Sequence, residues 1–351
     1  MNGDVWVRDM HGLRQEIIMD VDYSTFQYEY EQNTSRNLQF TVQKTDYNAF
    51  SFDLLTTEAF IIYKGQEYVV KSCTHGMTGY IRTKEIVAHH IGFTCIDFVQ
   101  RDVITGVKVY TIQDMLAHGF KDNHGGFTYK IHGTFAKQKI ENLGGMTLMD
   151  YLQKAVDAFG AYILADNKTW HIYSEEEFFE PSDYVLRYLY NTDSVKVEEH
   201  TDNLKTVVKA FGKPKETTKE VLTDNDYYAV GVYKSREIER YGEREALAVS
   251  DERFTNQNEL LKWAATQIID SPEISLEMTY YGTETLNERS KIWFIHEELG
   301  YNLWVKVTRF NESHPLTQKP PELGFMSRPR DMLGIQQKLQ RSVQESQKKI
   351  E

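Results

Sequence analysis

The sequence has few cysteines, few prolines and no long hydrophobic run. Its two cysteines, Cys73 and Cys95, are too few for a disulfide scaffold and lack the C-x-x-C spacing of a zinc knuckle or a redox pair. No run of about 18 apolar residues occurs, and the N-terminal stretch MNGDVWVRDMHG has no apolar core of a signal peptide. The sequence therefore predicts no membrane span and no cleaved secretion signal, and it favours folding in a reducing cytoplasm.

Basic residues are outnumbered by acidic ones. Lysine and arginine number 40 against 52 aspartates and glutamates, which gives a formal net charge of -12. Such a surface repels phosphate backbones and anionic lipid, so we expect no sequence-specific nucleic-acid binding. The motifs G-x-x-x-x-G-K-[ST], G-x-G-x-x-G and G-x-S-x-G are absent as well. Nothing in the sequence predicts a cofactor.

The residues that are abundant favour strands. Aromatic residues make up 13% of the chain, with 22 tyrosines and 18 phenylalanines, and hydrophobic residues make up 40%. A chain of 351 residues exceeds the size at which one hydrophobic core keeps growing. We therefore expect an α+β, β-rich protein with more than one domain.

Four portions follow from the patterning. Residues 1–95 alternate with period two and contain the hairpin AFIIYKGQEYVVKS, which indicates a first barrel-like β domain. Residues 96–190 indicate an inserted α+β domain, with a loop rich in glycine and histidine, DNHGGFTYKIHG. Residues 191–312 return to strands and include a second hairpin, KIWFIHEELGYNLWVKVTRF, which indicates a second barrel-like domain. Residues 313–351 hold four of the seven prolines and predict a linker followed by a C-terminal helix.

Several helix boundaries are predicted by capping residues. Thr147 with Asp150 forms a capping box before LMDYLQKAVDAF, and Gly160 ends that helix. Asn256 with Glu259 caps NELLKWAATQIID. The C-terminal helix carries one narrow apolar stripe at a spacing nearer 3.6 than 3.5, which favours packing on a surface or a short oligomer contact over a long coiled coil. Its candidate oligomer or docking residues are Ile335, Leu339, Val343 and Ile350.

The stretch EIVAHH has the ligand types of a zinc hydrolase but the wrong geometry. It lies in an alternating strand, where His89 and His90 point to opposite faces. Glu85 and His89 share a face but are too far apart along a strand to hold one ion. We therefore predict a strand with one polar and one packed histidine, and no metal site.

Other candidate residues are weaker. The motif HEELG at His296 has Gly300 where a zincin needs its second histidine. Two interpretations remain open for His118, His124 and His132: they form a metal site in a loop, or they belong to a flexible polar loop. It also remains open whether the fold brings one of the cysteines Cys73 and Cys95 next to a histidine, such as His75 or His118, to form the catalytic pair of a peptidase. A carboxylate site and a solvated loop stay open for the acidic residues Glu175, Glu176, Glu177, Glu180 and Asp183.

Three segments resemble a known family. They are TKEIVAHHIGFTCIDF, TLMDYLQKAVDAFGAYILADNKTWHIY and FIHEELGYNLWVKVTRFNES, and their order and spacing over residues 1–330 are similar to the hub region of the prophage tail endopeptidase, or tail-associated lysin, family. The resemblance implies a structural protein of the phage tail tip, or baseplate hub, that forms a homotrimeric ring of barrel-like domains. It implies a location in the virion after synthesis in the host cytoplasm. The implied partners are the tail tube or distal tail protein and receptor-binding or tip proteins.

Two further functions remain open at this point. Because the chain ends at Glu351, we expect it to lack the wall-degrading region of the family and to have no catalytic site. A tail-associated peptidoglycan hydrolase is the alternative that uses Cys73, His75 or His118. A carbohydrate-binding adhesin is the other alternative, because abundant aromatic side chains offer surfaces for sugars.

Overall fold

The computed structural model describes residues 3–216, 223–282 and 286–327. Contacts between Cα atoms divide them into two compact units. The first unit holds the residues up to Lys196 and those from Leu276 onward, and the second holds Val197–Ser275. The candidate residues 335–350 of the C-terminal helix lie outside the described residues.

The strands and helices follow in chain order. Up to residue 100 they are β1 (Trp6–Arg8), β2 (Gln15–Ile17), β3 (Val21–Glu31), β4 (Ser35–Gln43), α1 (Ala49–Leu54), β5 (Phe60–Tyr63), β6 (Gln66–Thr78), β7 (Ile81–His90) and β8 (Val99–Gln100). From there to residue 200 they are β9 (Ile104–Tyr110), α2 (Ile112–Phe120), β10 (Thr128–His132), β11 (Gln138–Leu143), β12 (Met146–Thr147), α3 (Leu148–Phe159), β13 (Tyr162–Asp166), β14 (Thr169–Tyr173), α4 (Glu175–Phe178), β15 (Glu180–Arg187) and β16 (Val195–His200). The remainder are β17 (Val207–Phe211), β18 (Val230–Lys234), α5 (Ile238–Tyr241), β19 (Val249–Ser250), α6 (Gln257–Ala265), β20 (Glu273–Thr279), β21 (Ser290–His296), β22 (Tyr301–Ser313) and β23 (Glu322–Met326). Short 3-10 helices cover Ile91–Asp97, Asp224–Asp226 and Pro315–Thr317.

The main sheet of the first unit joins strands from both ends of the chain. Its order is β23-β22-β3-β4-β7-β6-β5-β1-β2, and β15 and β21 continue it from the first half of β22. The pairing of β22 with β3 sets Phe310 opposite Tyr30. The β-rich class is confirmed. The four-part division into domains stays a prediction. Strands of the predicted first and second β domains share this sheet.

One face of the main sheet is the core. In β4 the side chains of Leu38, Phe40 and Val42 are fully buried, while their neighbours are partly exposed. This alternation is what a half-buried antiparallel strand requires, and a slip of one residue in register would turn the apolar set to solvent. The pattern of the sequence thus fixes the register as well as the strand.

The α+β portion of the first unit follows its predicted signals closely. In α3 the Thr147 hydroxyl accepts from the Asp150 N–H at 3.1 Å, and the Asp150 carboxylate accepts from the Thr147 N–H at 2.8 Å. Gly160 ends the helix with φ +66°. The predicted loop DNHGGFTYKIHG is partly wrong, since β10 lies within it and pairs in parallel with β14. A parallel partner about 40 residues away leaves no local signal in the sequence.

The predicted linker or extended arm after residue 313 contains a strand in its described part. β23 pairs with β22, and its Leu323, Phe325 and Met326 are almost fully buried. Pro320 and Pro321 lie just before the strand, where proline costs no ladder hydrogen bond. The proline-rich composition therefore delimits a short strand of the sheet.

The second unit is a small sheet covered by a helix. β17 lies between antiparallel β18 and parallel β19. Leu260 and Ala264 of α6 pack on Val208 and Ala210 of β17. Asn256 caps α6 as predicted, by accepting from the N–H groups of Asn258 and Glu259.

Candidate functional site

The strand β7 carries the EIVAHH stretch, and the structure confirms that its two histidines point to opposite faces. Glu85 and His89 are exposed, whereas His90 is fully buried. His90 Nδ1 accepts from the Gly92 N–H at 3.2 Å, which leaves the proton on Nε2, 2.9 Å from the Gln66 side-chain oxygen. Burial, with a smaller contribution from Arg36, lowers the pKa of His90 to about 3. This histidine is a neutral core residue.

His90 belongs to a hydrogen-bond network that fastens the α+β portion to the main sheet. The Gln66 side-chain oxygen also accepts from the Asn167 N–H at 3.0 Å, and Gln66 Nε2 donates to Asp166 at 2.9 Å. Asn167 Oδ1 accepts from the Glu67 N–H at 2.8 Å. The network therefore joins the β5–β6 turn to the β13–β14 turn, and its role is structural.

The remaining histidine candidates are not brought together. His118 Nδ1 lies 2.7 Å from the Tyr151 hydroxyl, His132 lies 2.9 Å from His171, and His124 is exposed. His296 is buried and stacks on Tyr188 with ring centroids 4.1 Å apart. Within the described ranges, no group of three or more histidine, cysteine, aspartate or glutamate side chains is arranged to hold a metal ion.

The acidic run does not form an open solvated loop. Its residues form α4 and the start of β15. Glu175 accepts from Lys306 Nζ at 2.5 Å, and Glu180 pairs with Arg289 at 2.8 Å. Two of these carboxylates, Glu175 and Glu180, thus pair with the cations Lys306 and Arg289.

The cysteine–histidine pair is present, but its chemistry is unfavourable. Cys73 Sγ and His75 Nε2 lie 3.8 Å apart on one face of β6. The Cys73 thiol donates to the Leu55 carbonyl at 3.7 Å, and burial raises its pKa although Lys84 opposes the shift. A nucleophilic cysteine needs the opposite shift, toward the thiolate. Cys95 is fully buried, and burial raises its pKa to about 12.

Lys84 is a buried charge that the sequence analysis missed. Its ammonium group donates to the carbonyls of Phe52 at 2.7 Å and Leu55 at 2.6 Å, and it lies 4.6 Å from the centre of the Phe52 ring. These carbonyls belong to the C-terminal end of α1, where a cation is favourable. The signal was present, because Lys84 has the same parity in β7 as the buried Ile86, Ala88 and His90.

The most open feature of the main sheet is a two-stranded ribbon. We call "the ribbon" residues 72–78 of β6 and 81–87 of β7, joined by the turn at Gly79 and Tyr80. Gly79 takes φ +61° and Tyr80 an ordinary negative φ, the pattern of a type II′ turn. β5 pairs with β6 only at residues 66–69. Among the described residues, positions 72–78 of β6 therefore have no strand on their outer edge.

The ribbon also exposes apolar side chains at its tip. Tyr80 is 100% exposed, Met77 65% and Ile81 46%. In a two-residue hairpin the closing pair is hydrogen-bonded, so the backbone groups of Cys73, His75 and Met77 point away from β7. An unpaired edge beside an apolar tip is a template for another strand and is normally covered in the working assembly.

No described helix is both long and apolar enough to span a membrane.

Two family models match the sequence. The model described as prophage endopeptidase tail matches residues 180–336, and the one described as prophage endopeptidase tail N-terminal domain matches residues 5–90. Together they cover more than half of the chain. No curated protein matches it.

Solved structures of tail proteins share the fold. Prophage tail protein gp18 from Listeria monocytogenes EGD-e is 28% identical, with a TM-score of 0.73 over 97% of this chain and 99% of that chain. The tail protein from Neisseria meningitidis MC58 is 14% identical, with a TM-score of 0.56 over 93% and 97% of the two chains. The 43 kDa tail protein of prophage MuSo2 from Shewanella oneidensis is 13% identical, with a TM-score of 0.59 over 94% and 99%. With both models of the family matched and this fold shared, the chain belongs to the phage and prophage tail proteins, in the prophage endopeptidase tail family.

Proposed function

We propose that the chain is a structural hub protein of the phage tail tip, or baseplate, and that it forms a homotrimeric ring joining the tail tube to the tip. The observation that carries this proposal is the ribbon, whose unpaired edge and exposed Tyr80 and Met77 offer a contact to another chain. Association through such an edge supplies backbone hydrogen bonds, and the apolar tip supplies buried area.

The arrangement of the main sheet supports a ring. Strands of the predicted first and second β domains lie side by side through the pairing of β22 with β3. Three copies would place six such strand-rich portions around one axis. This arrangement would match the symmetry of a sixfold tube on one side and of a threefold tip on the other. The net charge of -12 suits a channel that must let DNA pass without gripping it. In this proposal the protein is a virion component, made in the host cytoplasm, with tail tube, distal tail and receptor-binding or tip proteins as partners.

The proposed role is without catalysis. The Cys73 thiol, which could act as a nucleophile, donates a hydrogen bond to the Leu55 carbonyl. Its raised pKa keeps the thiol protonated near neutral pH. A tail-associated peptidoglycan hydrolase remains the second candidate, because Cys73 and His75 do approach to 3.8 Å.

The oligomeric state tests the ring. We expect light scattering on the purified full chain to give three times the mass of one chain, in a concentration-dependent equilibrium with the monomer. A stable dimer would contradict the threefold ring.

A wall-digestion assay separates the two candidates. We expect purified protein and its Cys73→Ser variant to leave a suspension of bacterial cell walls equally turbid. Clearing by the wild-type protein that is lost in Cys73→Ser would establish the hydrolase instead.

A further inference from the structure

Three neighbouring strands of the first unit, β15, β21 and β22, carry an exposed row of apolar side chains. The parallel pairing of β15 with β21 sets Val185 beside Trp293, and the antiparallel pairing of β21 with β22 sets Trp293 beside Trp304. Side chains of directly paired residues lie on the same face of a sheet. Val185 is 42% exposed, Trp304 is 38% exposed, and Trp293 is partly exposed. We call Val185, Trp293 and Trp304 together "the tryptophan face".

The tryptophan face has the composition of a contact surface. The centroids of its two indole rings lie 5.2 Å apart, with the ring planes at 78°. The opposite face of the same strands is core, where Ile292, Phe294 and Val305 are fully buried. Strands that pair in parallel are usually covered on both faces. An exposed apolar patch marks a binding surface, and tryptophan is enriched at the centres of protein interfaces. We therefore expect another chain to cover this face.

A threefold ring needs a second surface besides the ribbon. A contact around a threefold axis cannot join a patch to itself, because it joins two different surfaces of neighbouring copies. The ribbon is one such surface, with Met77, Tyr80 and Ile81 exposed at its tip. In the main sheet its strands β6 and β7 are separated from β22 by β3 and β4. The ribbon and the tryptophan face are thus two distinct apolar surfaces of one chain.

The charges of the two surfaces are complementary. The ribbon exposes one cation and one anion, Arg82 and Glu85. Beside the tryptophan face, β21 and β15 supply one charge of each sign, Lys291 and Asp183. The Lys291 ammonium group lies 5.3 Å from the centre of the Trp304 ring. Within the described part of the chain, none of these four charged groups has an ion-pair partner. Charges of opposite sign can therefore face each other when the two surfaces meet.

We propose that the ribbon of one copy packs on the tryptophan face of the next copy. The inference rests on the proposed ring, and it names the two surfaces that close it. Met77 and Tyr80 of the ribbon tip pack on the two indole rings, since methionine sulfur and aromatic rings both contact aromatic rings favourably. Three identical contacts of this kind use every ribbon and every tryptophan face, so the assembly has no open end.

Cross-linking between two co-expressed variants tests this contact. One variant carries Thr78→Cys in the ribbon, and the other carries Val185→Cys and an affinity tag that changes its size. Both carry Cys73→Ser, and Cys95 is fully buried. The reagent is a short bis-maleimide, which joins two thiols without an oxidant. We expect the linked heterodimer to be the main product, and we expect little linking when Val107→Cys on β9 replaces Val185→Cys.

The other products and the mass separate this contact from the ring itself. Linked homodimers would show that ribbons meet ribbons or that tryptophan faces meet each other, and would overturn the proposal. Linking no stronger than with the Val107→Cys control, at three times the mass of one chain by light scattering, would overturn this contact and leave the ring intact. A monomeric mass would overturn both.

A pair of matched substitutions measures the contribution of the tryptophan face. Val185→Asp places a charge within it, and Val107→Asp places the same charge on β9, where Val107 is 63% exposed outside both surfaces. We expect Val185→Asp to weaken association at least about tenfold in a dilution series by light scattering, and Val107→Asp to leave it unchanged. Equal effects of the two variants, or no effect of Val185→Asp, would remove the tryptophan face from the interface.

Discussion

At the scale of single residues, β7 shows how a strand tolerates polar side chains on its buried face. Lys84 and His90 point into the protein with Ile86 and Ala88, and each has hydrogen-bond partners there. The cost of burying such a group is offset only when its partners are in place. These two residues therefore offer sharp tests of the fold.

His90 should make stability depend on pH. Its folded-state pKa of about 3 lies below the unfolded value near 6.5, so the unfolded chain takes up a proton first as the pH falls. The stability linked to neutral His90 is thus fully present above about pH 6.5 and is lost progressively toward pH 3.

The His90→Gln variant isolates this effect. The variant lacks the titrating ring. The free energy of unfolding of wild type should therefore exceed that of the variant most near pH 7, and this difference should shrink by up to about 1.4 kcal/mol per pH unit below pH 6. Urea unfolding of both proteins at several pH values measures the difference. A difference that stays constant between pH 7 and pH 4 would contradict burial of a neutral histidine.

Lys84 should contribute more to stability than Lys71, an exposed lysine of β6 that lies just outside the ribbon. Lys84→Met keeps the aliphatic stem but leaves the Phe52 and Leu55 carbonyls without their charged donor, at an expected cost of about 1.5–3 kcal/mol. Lys71→Met, the control, breaks only an exposed pair with Glu58 and should cost less than about 1 kcal/mol. Equal shifts of the urea midpoint would refute the capping role of Lys84.

At the scale of elements, features that depend on a few consecutive residues were predicted from the sequence, whereas features that depend on strand pairing were not. The Thr147–Asp150 capping box, Gly160 and the Asn256 cap are read from four or five consecutive residues, and the structure confirms each of them. β10 was missed because its strand character depends on pairing with β14, about 40 residues away. β23 was missed because the prolines before it indicated a linker, although its partner β22 is the preceding strand. The open edge of the ribbon was not predictable either, since it depends on where β5 ends.

The ribbon tip is the element on which assembly is predicted to depend. Tyr80→Asp places a charge on a fully exposed side chain, so the monomer should remain folded. If the tip is buried between copies, the charge should weaken association at least about tenfold, equivalent to about 1.4 kcal/mol. Light scattering over a dilution series measures this.

Tyr47→Asp is the matched control, because Tyr47 is 86% exposed but lies outside the ribbon. It should associate as the wild type does. Equal weakening by both variants would point to a general charge effect and would remove the ribbon from the interface.

At the scale of the whole molecule, the resemblance in sequence and the fold agree on a tail protein. Composition predicted the β-rich class, but the pairing of β22 with β3, about 280 residues apart, could not be inferred from either segment alone. The predicted ring and the predicted docking residues of the C-terminal helix concern contacts between chains, which no pattern within one chain specifies. They stay predictions.

The central claim is that copies of this chain close into a ring around an open axis. Averaged electron-microscope images of the assembled particles test it most directly. The account predicts end-on views with threefold symmetry, six strand-rich lobes and a central channel. End-on views with twofold symmetry, or a filled centre, would contradict it.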